Sequence, residues 1–456
     1  MKRLCFTLAL AACDADEAPR CRTQRCDFGA IEVVATDADA TDTDAPDAPD
    51  VAAEVAPEDD TGTSPLPAVA PRPPADCGQA SMLADDFSAP LPFDRWSTSG
   101  GAAAQAVNRD GRATITLGPV PGFGGFFAHA QVSLWGSAVA VEVTEVPDPT
   151  TTARTALVLG HDRDALELRS SEGTLRAIVT LGGVEHVIAE TAWDAIEQRL
   201  WRIREEAGRV RWEYASDDDD WRELAAMPAP FALDYVRVAL TAGTAEVGTS
   251  PGAAAFEAVN SGVASGRWCA AGSFTDDFDG PAIDERWETW RNDGCSLVLD
   301  GGALVMRPVE GLETACGMRS ARPLDLRDGA LTVAVAGGVG PAGVVAKVGL
   351  GAGDFFAGFS DDGPNLRLVL ERGTDVRLVA SLEPDLTLHR WWRLRAHDGV
   401  IYWETSPDLS RWTLHGAEPV DAPFDALEID ALIVQHALND APGELRLEHL
   451  ATSSLR

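Results

Sequence analysis

Lysine is nearly absent from the chain: only Lys2 and Lys347 occur among 456 residues, and arginine supplies the other positive charges. Asp and Glu outnumber Lys and Arg by 72 to 37, which gives a formal net charge of -35. A surface of that sign repels phosphate backbones and anionic lipid headgroups, so the composition excludes nucleic-acid binding.

Several catalytic and metal-binding motifs are also missing. The sequence has no Gly-x-Ser-x-Gly elbow and no phosphate-binding loop. It has no Cys-x-x-Cys pair and its eight histidines are scattered, so the spacing does not favour a metal site. We therefore expect no cofactor. Calcium in an acidic loop is the alternative left open, although the glycine-containing pattern of calcium loops is absent.

The length and composition predict more than one folded unit. A chain of 456 residues exceeds the roughly 250 to 300 residues that one core usually holds, so two domains and an additional segment are expected. Hydrophobic residues make up 45% and charged residues 24% of the chain. This is enough apolar material for most of it to fold.

The first residues carry an export pattern. Lys2 and Arg3 precede a short apolar run, and Leu10-Ala-Ala-Cys13 follows it. The pattern resembles a bacterial lipoprotein signal peptide, which implies cleavage after residue 12 and acylation of Cys13. An ordinary secretory signal with an incidental cysteine is the alternative. The resemblance predicts an exported protein, lipid-anchored to the bacterial cell envelope and touching the membrane through that anchor only.

Residues 13–77 are predicted to form a disordered acidic stalk. From Asp27 to Asp60 there are twelve acidic residues and no Lys or Arg, and no aromatic residue lies between Phe28 and Phe87. Such a segment cannot bury a core and repels itself into an extended form.

The rest of the chain contains an internal repeat of two similar segments. Asp85-Asp86-Phe87 with Arg95-Trp96 recurs 191 residues later as Asp276-Asp277-Phe278 with Arg286-Trp287. Eight of the thirteen tryptophans pair at this offset: Trp96 with Trp287, Trp201 with Trp392, Trp212 with Trp403, and Trp221 with Trp412. Chance does not align so many rare residues, so 78–264 and 270–456 are predicted as two copies of one domain.

Short runs of alternating apolar and polar residues, separated by Gly, Asp and Pro, fill both copies. This period of two predicts about a dozen strands per copy and almost no helix, hence two all-β sandwiches. Residues 329–346 carry no charge, as a membrane span would. Their counterpart in the first copy holds Glu142, Glu145 and Asp148, so we interpret the stretch as a buried hairpin.

The second half of each copy contains a strand with the pattern Trp-Arg-x-Arg, then a strand with Trp-Glu, then an acidic turn that ends at a tryptophan. In the first copy these are Trp201-Arg-Ile-Arg204, Trp212-Glu213 and Trp221. With the opening Asp-Asp-Phe and Arg-Trp, this resembles the concanavalin A-like lectin/glucanase superfamily. Its closest likeness is to the jelly-roll modules appended to bacterial β-xylosidase-type enzymes. The turns Ser216–Asp220 and Ser406–Ser410 lack the glycine of the family pattern. The resemblance implies two tandem jelly rolls and leaves the ligand open.

The cysteine count fits export. Once Cys5 leaves with the signal and Cys13 is acylated, six cysteines remain, an even number. The first and last strands of such jelly rolls lie side by side, which implies a Cys77–Cys269 disulfide that staples the first domain shut. The remaining predicted pairs are Cys295–Cys316 and Cys21–Cys26.

Two classes of residue are predicted to form a ligand face. Alternation places Arg202 and Glu213, and likewise Arg393 and Glu404, on the same side of adjacent strands. They are either cross-strand ion pairs that stabilise the sheet or part of the concave face where lectins of this superfamily hold sugars. Aromatic residues without a counterpart in the other copy are the second class: Trp290, Phe355, Phe356 and Trp135.

Catalysis is predicted to be absent. Retaining glucanases of the superfamily carry Glu-x-Asp-x-x-Glu on one strand, and the nearest run here, Glu428-Ile-Asp430, has no third acid in phase. The prediction is a lipoprotein that is not an enzyme and whose two domains bind a polysaccharide or surface glycan. A structural or protein-interaction spacer is the alternative, and a glycoside hydrolase is the least favoured interpretation.

Overall fold

A computed structural model describes residues 66–455 except 74, 89–94, 149, 219, 246–251, 262–265, 310–311, 338–339, 341–342 and 437–442. The predicted signal peptide, Cys13, most of the predicted stalk and the predicted Cys21–Cys26 pair lie outside the described residues. Apart from one 3-10 turn at Ala80–Met82, every regular element within them is a strand.

Fourteen strands form a first sandwich. They are β1 (Trp96–Ser99), β2 (Ala104–Arg109), β3 (Arg112–Leu117), β4 (Gly122–Val132), β5 (Ala138–Glu145), β6 (Arg154–His161), β7 (Asp164–Ser171), β8 (Thr174–Leu181), β9 (Val184–Ala192), β10 (Leu200–Glu206), β11 (Arg209–Ala215), β12 (Arg222–Pro228), β13 (Val236–Thr244) and β14 (Ala253–Val259). Sheet A has the order β1-β4-β13-β6-β7-β8-β9 and sheet B the order β12-β11-β10-β5-β14-β3-β2.

The remaining strands form a second sandwich. They are β15 (Cys269–Ala270), β16 (Thr275–Asp276), β17 (Trp287–Arg291), β18 (Cys295–Leu299), β19 (Leu304–Pro308), β20 (Thr314–Ser320), β21 (Leu324–Asp325), β22 (Gly329–Gly337), β23 (Val344–Ala352), β24 (Phe355–Asp361), β25 (Leu366–Arg372), β26 (Asp375–Leu382), β27 (Trp391–His397), β28 (Val400–Ser406), β29 (Thr413–Pro419), β30 (Glu428–Gln435) and β31 (Leu445–Ser454). Sheet C has the order β17-β20-β30-β23-β24-β25-β26, and sheet D runs β18-β19-β31-β22-β27-β28-β29 with β16 beside β31.

This all-β architecture of two sandwiches confirms the predicted fold class. In β10 and β11 the alternation predicted from sequence is realised, because Trp201, Ile203 and Trp212 are fully buried in the core. The intervening Arg202 and Glu213 face outward and oppose each other across the two strands. The second sandwich repeats this register with Arg393 opposite Glu404, and the same β-bulge follows each core tryptophan.

The repeated Asp-Asp-Phe and Arg-Trp motifs have a structural explanation. The Asp85 carboxylate accepts a hydrogen bond from the Phe87 backbone N–H at 2.8 Å and another from the Trp96 indole N–H at 3.0 Å. Asp276 does the same for Phe278 and Trp287, at 2.8 and 2.7 Å. One carboxylate thus fixes a turn and orients a core tryptophan. The motif therefore records folding requirements.

The uncharged stretch 329–346 is not a hairpin, so that interpretation is wrong. β22 pairs with β31 and β27 in sheet D, whereas β23 pairs with β24 and β30 in sheet C. The chain crosses from one sheet to the other because a jelly roll pairs strands that are distant in sequence. Within the described part of the chain, no helix is both long enough and apolar enough to cross a membrane.

Among the residues that the structure describes there are two disulfides, Cys77–Cys269 and Cys295–Cys316. Cys269 lies in β15, which pairs with β21, and Cys77 packs against the second core. The first bond therefore encloses the first sandwich and also fastens its leading segment to the second sandwich. The second bond links β18 of sheet D to β20 of sheet C.

Candidate functional site

The predicted Arg–Glu pairs form one arrangement in both sandwiches. Arg202 Nε donates to Glu213 at 2.7 Å, and Arg204 Nε donates to the same carboxylate at 2.9 Å. The Arg202 guanidinium also lies over the Trp221 ring, 3.9 Å from its centroid. The Glu213 side chain is only 6% exposed. Its two oxygens are therefore already occupied by the protein.

The second sandwich repeats the arrangement with small differences. Arg393 Nε donates to Glu404 at 2.6 Å, whereas Arg395 approaches the same carboxylate only to 3.4 Å. Arg393 lies 3.9 Å from the Trp412 ring centroid, and Arg395 lies 3.9 Å from the ring of Tyr402. All of these groups lie on the outer side of sheet D, as their counterparts lie on the outer side of sheet B.

The predicted aromatic residues occupy different places. Trp290 and Phe356 lie on the outer side of sheet C, away from the Arg–Glu pairs of sheet D. Phe355 points into the core with Ala357 and Phe359, so its prediction as a residue of the ligand face is wrong. The period of two along β24 explains this, since two successive phenylalanines must face opposite sides. Trp135, also predicted as exposed, is 1% exposed and belongs to the first core.

The outer side of sheet C has a floor of glycines, which we call the glycine face: Gly317, Gly349, Gly351 and Gly358 on three adjacent or near-adjacent strands. The Phe356 ring covers two of them, because a Cβ at Gly349 or Gly358 would lie 2.8 or 2.5 Å from its Cζ. The Trp290 ring likewise covers Gly317, because a Cβ at Gly317 would lie 2.5 Å from Cζ2 of that ring. Glycine is required at these positions because only a missing side chain admits a ring so close to the strand.

Charged side chains complete the glycine face. Lys347 Nζ donates to Glu371 at 2.5 Å and lies 5.8 Å from the Phe356 ring centroid. Both members of this pair are buried, with side chains 11% and 3% exposed. Lys347 is the one lysine among the described residues. A compact ammonium group has thus been kept here in a chain that otherwise uses arginine.

Three carboxylates meet at the β17 side of this face. Arg319 Nε lies 2.8 Å from Asp430 and 3.3 Å from Glu428, which share one side of β30. Glu288 on β17 lies directly opposite Arg319. Burial raises the pKa of Glu428 to about 7, with the Arg319 charge opposing that rise. The sequence search for a third acid failed because it followed a single strand, whereas Glu288 comes from β17, two strands away from β30 in the sheet.

The first sandwich carries a different set of groups on the corresponding sheet A. Arg169 on β7 is bound by Glu167 at 2.6 Å and by Glu185 of β9 at 2.8 Å. Arg154 on β6 lies 4.0 Å from the ring centroid of Phe123. The glycine floor is reproduced only in part: Gly160 lies 191 residues before Gly351, whereas Val158 and Glu167 stand at the positions of Gly349 and Gly358. The two outer faces therefore differ more than the two cores.

A cavity of about 330 Å³ opens beside Trp290, at the edge where β17 of sheet C meets β18 of sheet D. Its lining combines one aromatic, two aliphatic and two polar side chains: Trp290, Ile283, Leu297, Thr289 and Arg291. A recess of this composition suits a small ring-shaped group that can contact the indole and hydrogen-bond at the rim.

One group among the described residues has the donors of a metal site: Asp328, His397 and Asp398. His397 Nδ1 lies 2.6 Å from Asp328, and its Nε2 lies 3.3 Å from Asp398. Both ring nitrogens of His397 therefore already face a carboxylate of the protein. No other group of donors in this part of the chain supports a metal or calcium site.

Comparison with solved structures finds distant likenesses, each over about 40% of this chain. The chain is similar to a beta-1,3-glucanase from Mycobacterium marinum, at 14% identity over 40% of this chain and 97% of that one, with a TM-score of 0.32. It is also similar to an uncharacterized protein from Mycobacterium paratuberculosis, at 15% identity over 39% and 99%, with a TM-score of 0.32. A third is the CBM2 module of the Lactobacillus casei BL23 phage J-1 evolved Dit, at 10% identity over 39% and 93%, with a TM-score of 0.31.

These neighbours are jelly-roll sandwiches of the concanavalin A-like fold, and at such identities and TM-scores the likeness assigns no role to this chain. No protein-family model and no curated protein matches the chain. The prediction that the chain is not an enzyme is wrong on this comparison, because several similar structures are named as glycoside hydrolases. Catalysis is therefore no longer excluded, and no activity is assigned to the chain.

Proposed function

We propose that the protein is an exported lipoprotein of the cell envelope that binds a polysaccharide on the glycine face of its second sandwich. The observation that carries the proposal is that the rings of Trp290 and Phe356 lie over glycines of sheet C, with Gly317 beneath Trp290 and Gly349 and Gly358 beneath Phe356. Aromatic surface beside a few placed polar groups is the usual composition of a binding site for a small ring. Lys347, Glu371 and Arg319 supply the polar groups here.

Trp290 is the residue most suited to contact a ligand. Its indole is partly exposed and lines the 330 Å³ cavity, whereas Phe356 is 7% exposed and fills the floor. A sugar ring on the glycine face would therefore stack on the indole of Trp290. The Arg202–Glu213 and Arg393–Glu404 pairs, on the opposite sheets, are a second proposed ligand surface, which the experiment below separates from the first.

The test is affinity electrophoresis of the full chain in gels containing xylan, laminarin, mannan or a soluble cellulose. We expect retention by at least one polysaccharide and a loss of affinity of about tenfold for Trp290→Ala. The matched control is Trp412→Ala, which removes the indole stacked on Arg393 and should leave retention unchanged. The reverse pattern would transfer the site to sheet D.

Two further outcomes have defined meanings. If no polysaccharide retains the chain, the proposal fails and the spacer interpretation replaces it. If the chain releases reducing ends from a polysaccharide that retains it, hydrolysis is added to binding, and the retention pattern of the two tryptophan variants still locates the site.

The lipid anchor is a separate part of the proposal. The two disulfides support an oxidising compartment outside the cytoplasm. Acylation at Cys13 would then hold the sandwiches at the envelope through the acidic stalk. Labelling with a radioactive fatty acid should mark the wild-type chain and leave Cys13→Ser unmarked. Equal labelling of both, or of neither, would contradict the anchor.

A further inference from the structure

Glu288 connects the glycine face of the second sandwich with the first sandwich. Glu288 and Trp290 are two residues apart on β17, so their side chains share the outer side of sheet C. The Trp290 ring lies over Gly317, and Glu288 lies opposite Arg319 on the same neighbouring strand. The Arg237 guanidinium, from β13 of the first sandwich, donates to Glu288 at 2.5 Å. The tryptophan of the proposed ligand site therefore lies beside a residue that the first sandwich holds.

Other contacts hold the sandwiches together without the Arg237–Glu288 pair. The side chains of the pair are 21% and 26% exposed, and an ion pair so accessible to water contributes little to stability. Three further contacts join the two bodies: the Cys77–Cys269 disulfide, the hydrogen bond from the Gln131 backbone N–H to the Ala321 carbonyl, and the Arg322 guanidinium over the Tyr235 ring. These contacts fix the place of the pair and leave both of its side chains partly exposed to solvent.

The two copies differ at this edge of the sheet. Ser97 and Ser99 of β1 stand 191 residues before Glu288 and Trp290, so the first sandwich has neither the acid nor the ring at these positions. Arg237 aligns in the same way with a glutamate of β30. The cation thus comes from one copy and the acid and the ring come from the other. The group is complete only where the two sandwiches meet.

We propose that the polysaccharide site is composite: one sugar unit stacks on Trp290, and the next unit of the same chain lies over Glu288 and Arg237, so that both sandwiches bind one ligand. This inference rests on the proposed function of the glycine face and adds the first sandwich to it. The ligand class that it names is an extended polysaccharide bound at successive units along the chain, and not a single terminal sugar.

The spacing and the hydrogen-bonding capacity of the pair fit this arrangement. Two residues along a strand span about 7 Å, so successive ring-shaped units can lie one beside Trp290 and one beside Glu288. A sugar hydroxyl both donates and accepts hydrogen bonds, whereas the carboxylate accepts them and the Arg237 guanidinium donates them. The two charges balance each other, so a neutral sugar can cover the pair without leaving an unpaired charge beneath it.

The experiment is affinity electrophoresis of the full chain with whichever of xylan, laminarin, mannan and soluble cellulose retains the wild type. Arg237→Met removes the guanidinium and keeps an unbranched side chain, so we expect affinity to fall about tenfold. Glu288→Gln, which keeps the shape of its side chain, should also lower affinity, and it replaces Arg237→Met if that variant does not fold. The matched control is Arg112→Met, which breaks a 2.7 Å ion pair with Glu257 on sheet B of the first sandwich and should be retained as the wild type is.

Two readouts separate ligand contact from a purely structural role of Arg237. Hydrogen–deuterium exchange at the Gln131 amide reports whether the sandwiches remain joined, and its protection in Arg237→Met should stay within about twofold of the wild type. Competition with free sugars measures the length of ligand that the site holds. The tetrasaccharide of the retaining polysaccharide should release the wild type at a concentration about tenfold below that of the monosaccharide, and Arg237→Met should reduce this difference.

Each outcome supports or refutes the composite site. A loss of affinity in Arg237→Met with unchanged Gln131 protection supports it. Wild-type retention of Arg237→Met, together with a loss in Trp290→Ala, would refute it and leave the proposed function intact. The composite site is also refuted if Gln131 protection falls together with affinity, or if the monosaccharide competes with the wild type as well as the tetrasaccharide does. If no polysaccharide retains the wild type, the proposed function fails on that result alone and the composite site fails with it.

Discussion

The substitution Glu213→Gln removes a negative charge from between two guanidinium groups, and Glu404→Gln does the same in the second sandwich. The carboxylate side chains are 6% and 9% exposed. The second arginine lies closer in the first sandwich, at 2.9 Å from Arg204 to Glu213, than in the second, at 3.4 Å from Arg395 to Glu404. The two sites are therefore a matched pair that differs mainly in one hydrogen bond.

The expected loss follows from these contacts. A hydrogen bond to a charged group contributes about 1.5 to 3 kcal/mol, and glutamine keeps a neutral bond of about 1 kcal/mol. Arg202 and Arg393 are 21% and 22% exposed, so water recovers part of their solvation. We expect Glu213→Gln to lower the free energy of unfolding of its sandwich by about 3 kcal/mol, and Glu404→Gln by about 2 kcal/mol.

Differential scanning calorimetry is the assay, because two sandwiches in one chain need not unfold as a single two-state system. For domains of this size, about 1 kcal/mol shifts the midpoint by about 2 to 4 °C, so both losses are measurable. Glu444→Gln, at an exposed pair, is the control and should change stability by less than about 0.5 kcal/mol. If Glu213→Gln and Glu404→Gln unfold at the same midpoint as the control, the reasoning is refuted. A loss of polysaccharide retention in these two variants would instead show that the Arg–Glu pairs contact the ligand.

Three further outcomes are expected. Trp403 donates its indole N–H to a backbone carbonyl at 2.9 Å, whereas the buried indole N–H of Trp212 has no partner among the described residues. Trp403→Phe should therefore lower the free energy of unfolding by about 1 to 2 kcal/mol more than Trp212→Phe does, as measured by thermal unfolding. Equal losses would contradict this. The Cys77–Cys269 disulfide closes a loop of 192 residues. Replacing both cysteines by serine should therefore destabilise the first sandwich by about 5 kcal/mol in the chain-entropy model. An unchanged midpoint in urea unfolding would refute this prediction. Gly358→Ala places a methyl group 2.5 Å from a phenylalanine ring and 2.6 Å from a carbonyl oxygen, so it should lower the free energy of unfolding by about 1 to 3 kcal/mol. Gly399→Ala, whose methyl group enters open space but at a positive φ, should lower it by about 1 kcal/mol.

Part of the candidate site follows from sequence pattern, because strand geometry is local. A period of two along a strand decides which side chains share a face, so the pairing of Arg202 with Glu213 and the burial of Trp212 could be predicted from the letters. The same rule, applied to Phe355 and Phe356, would have placed one ring inside and one outside. The glycines of sheet C are visible in the sequence, but their alignment beneath two rings is not.

The repeat at an offset of 191 residues and the strands of each copy can be predicted from the sequence, because repetition and alternation are properties of the residue order. Long-range packing is needed to place Trp290 and Phe356 on one face away from the Arg–Glu pairs, and to bring Glu288 near Glu428 and Asp430. It also brought Arg237 of the first copy to Glu288 of the second. These contacts join strands far apart in the chain, and the register between such strands depends on how whole sheets pack, which no local pattern contains.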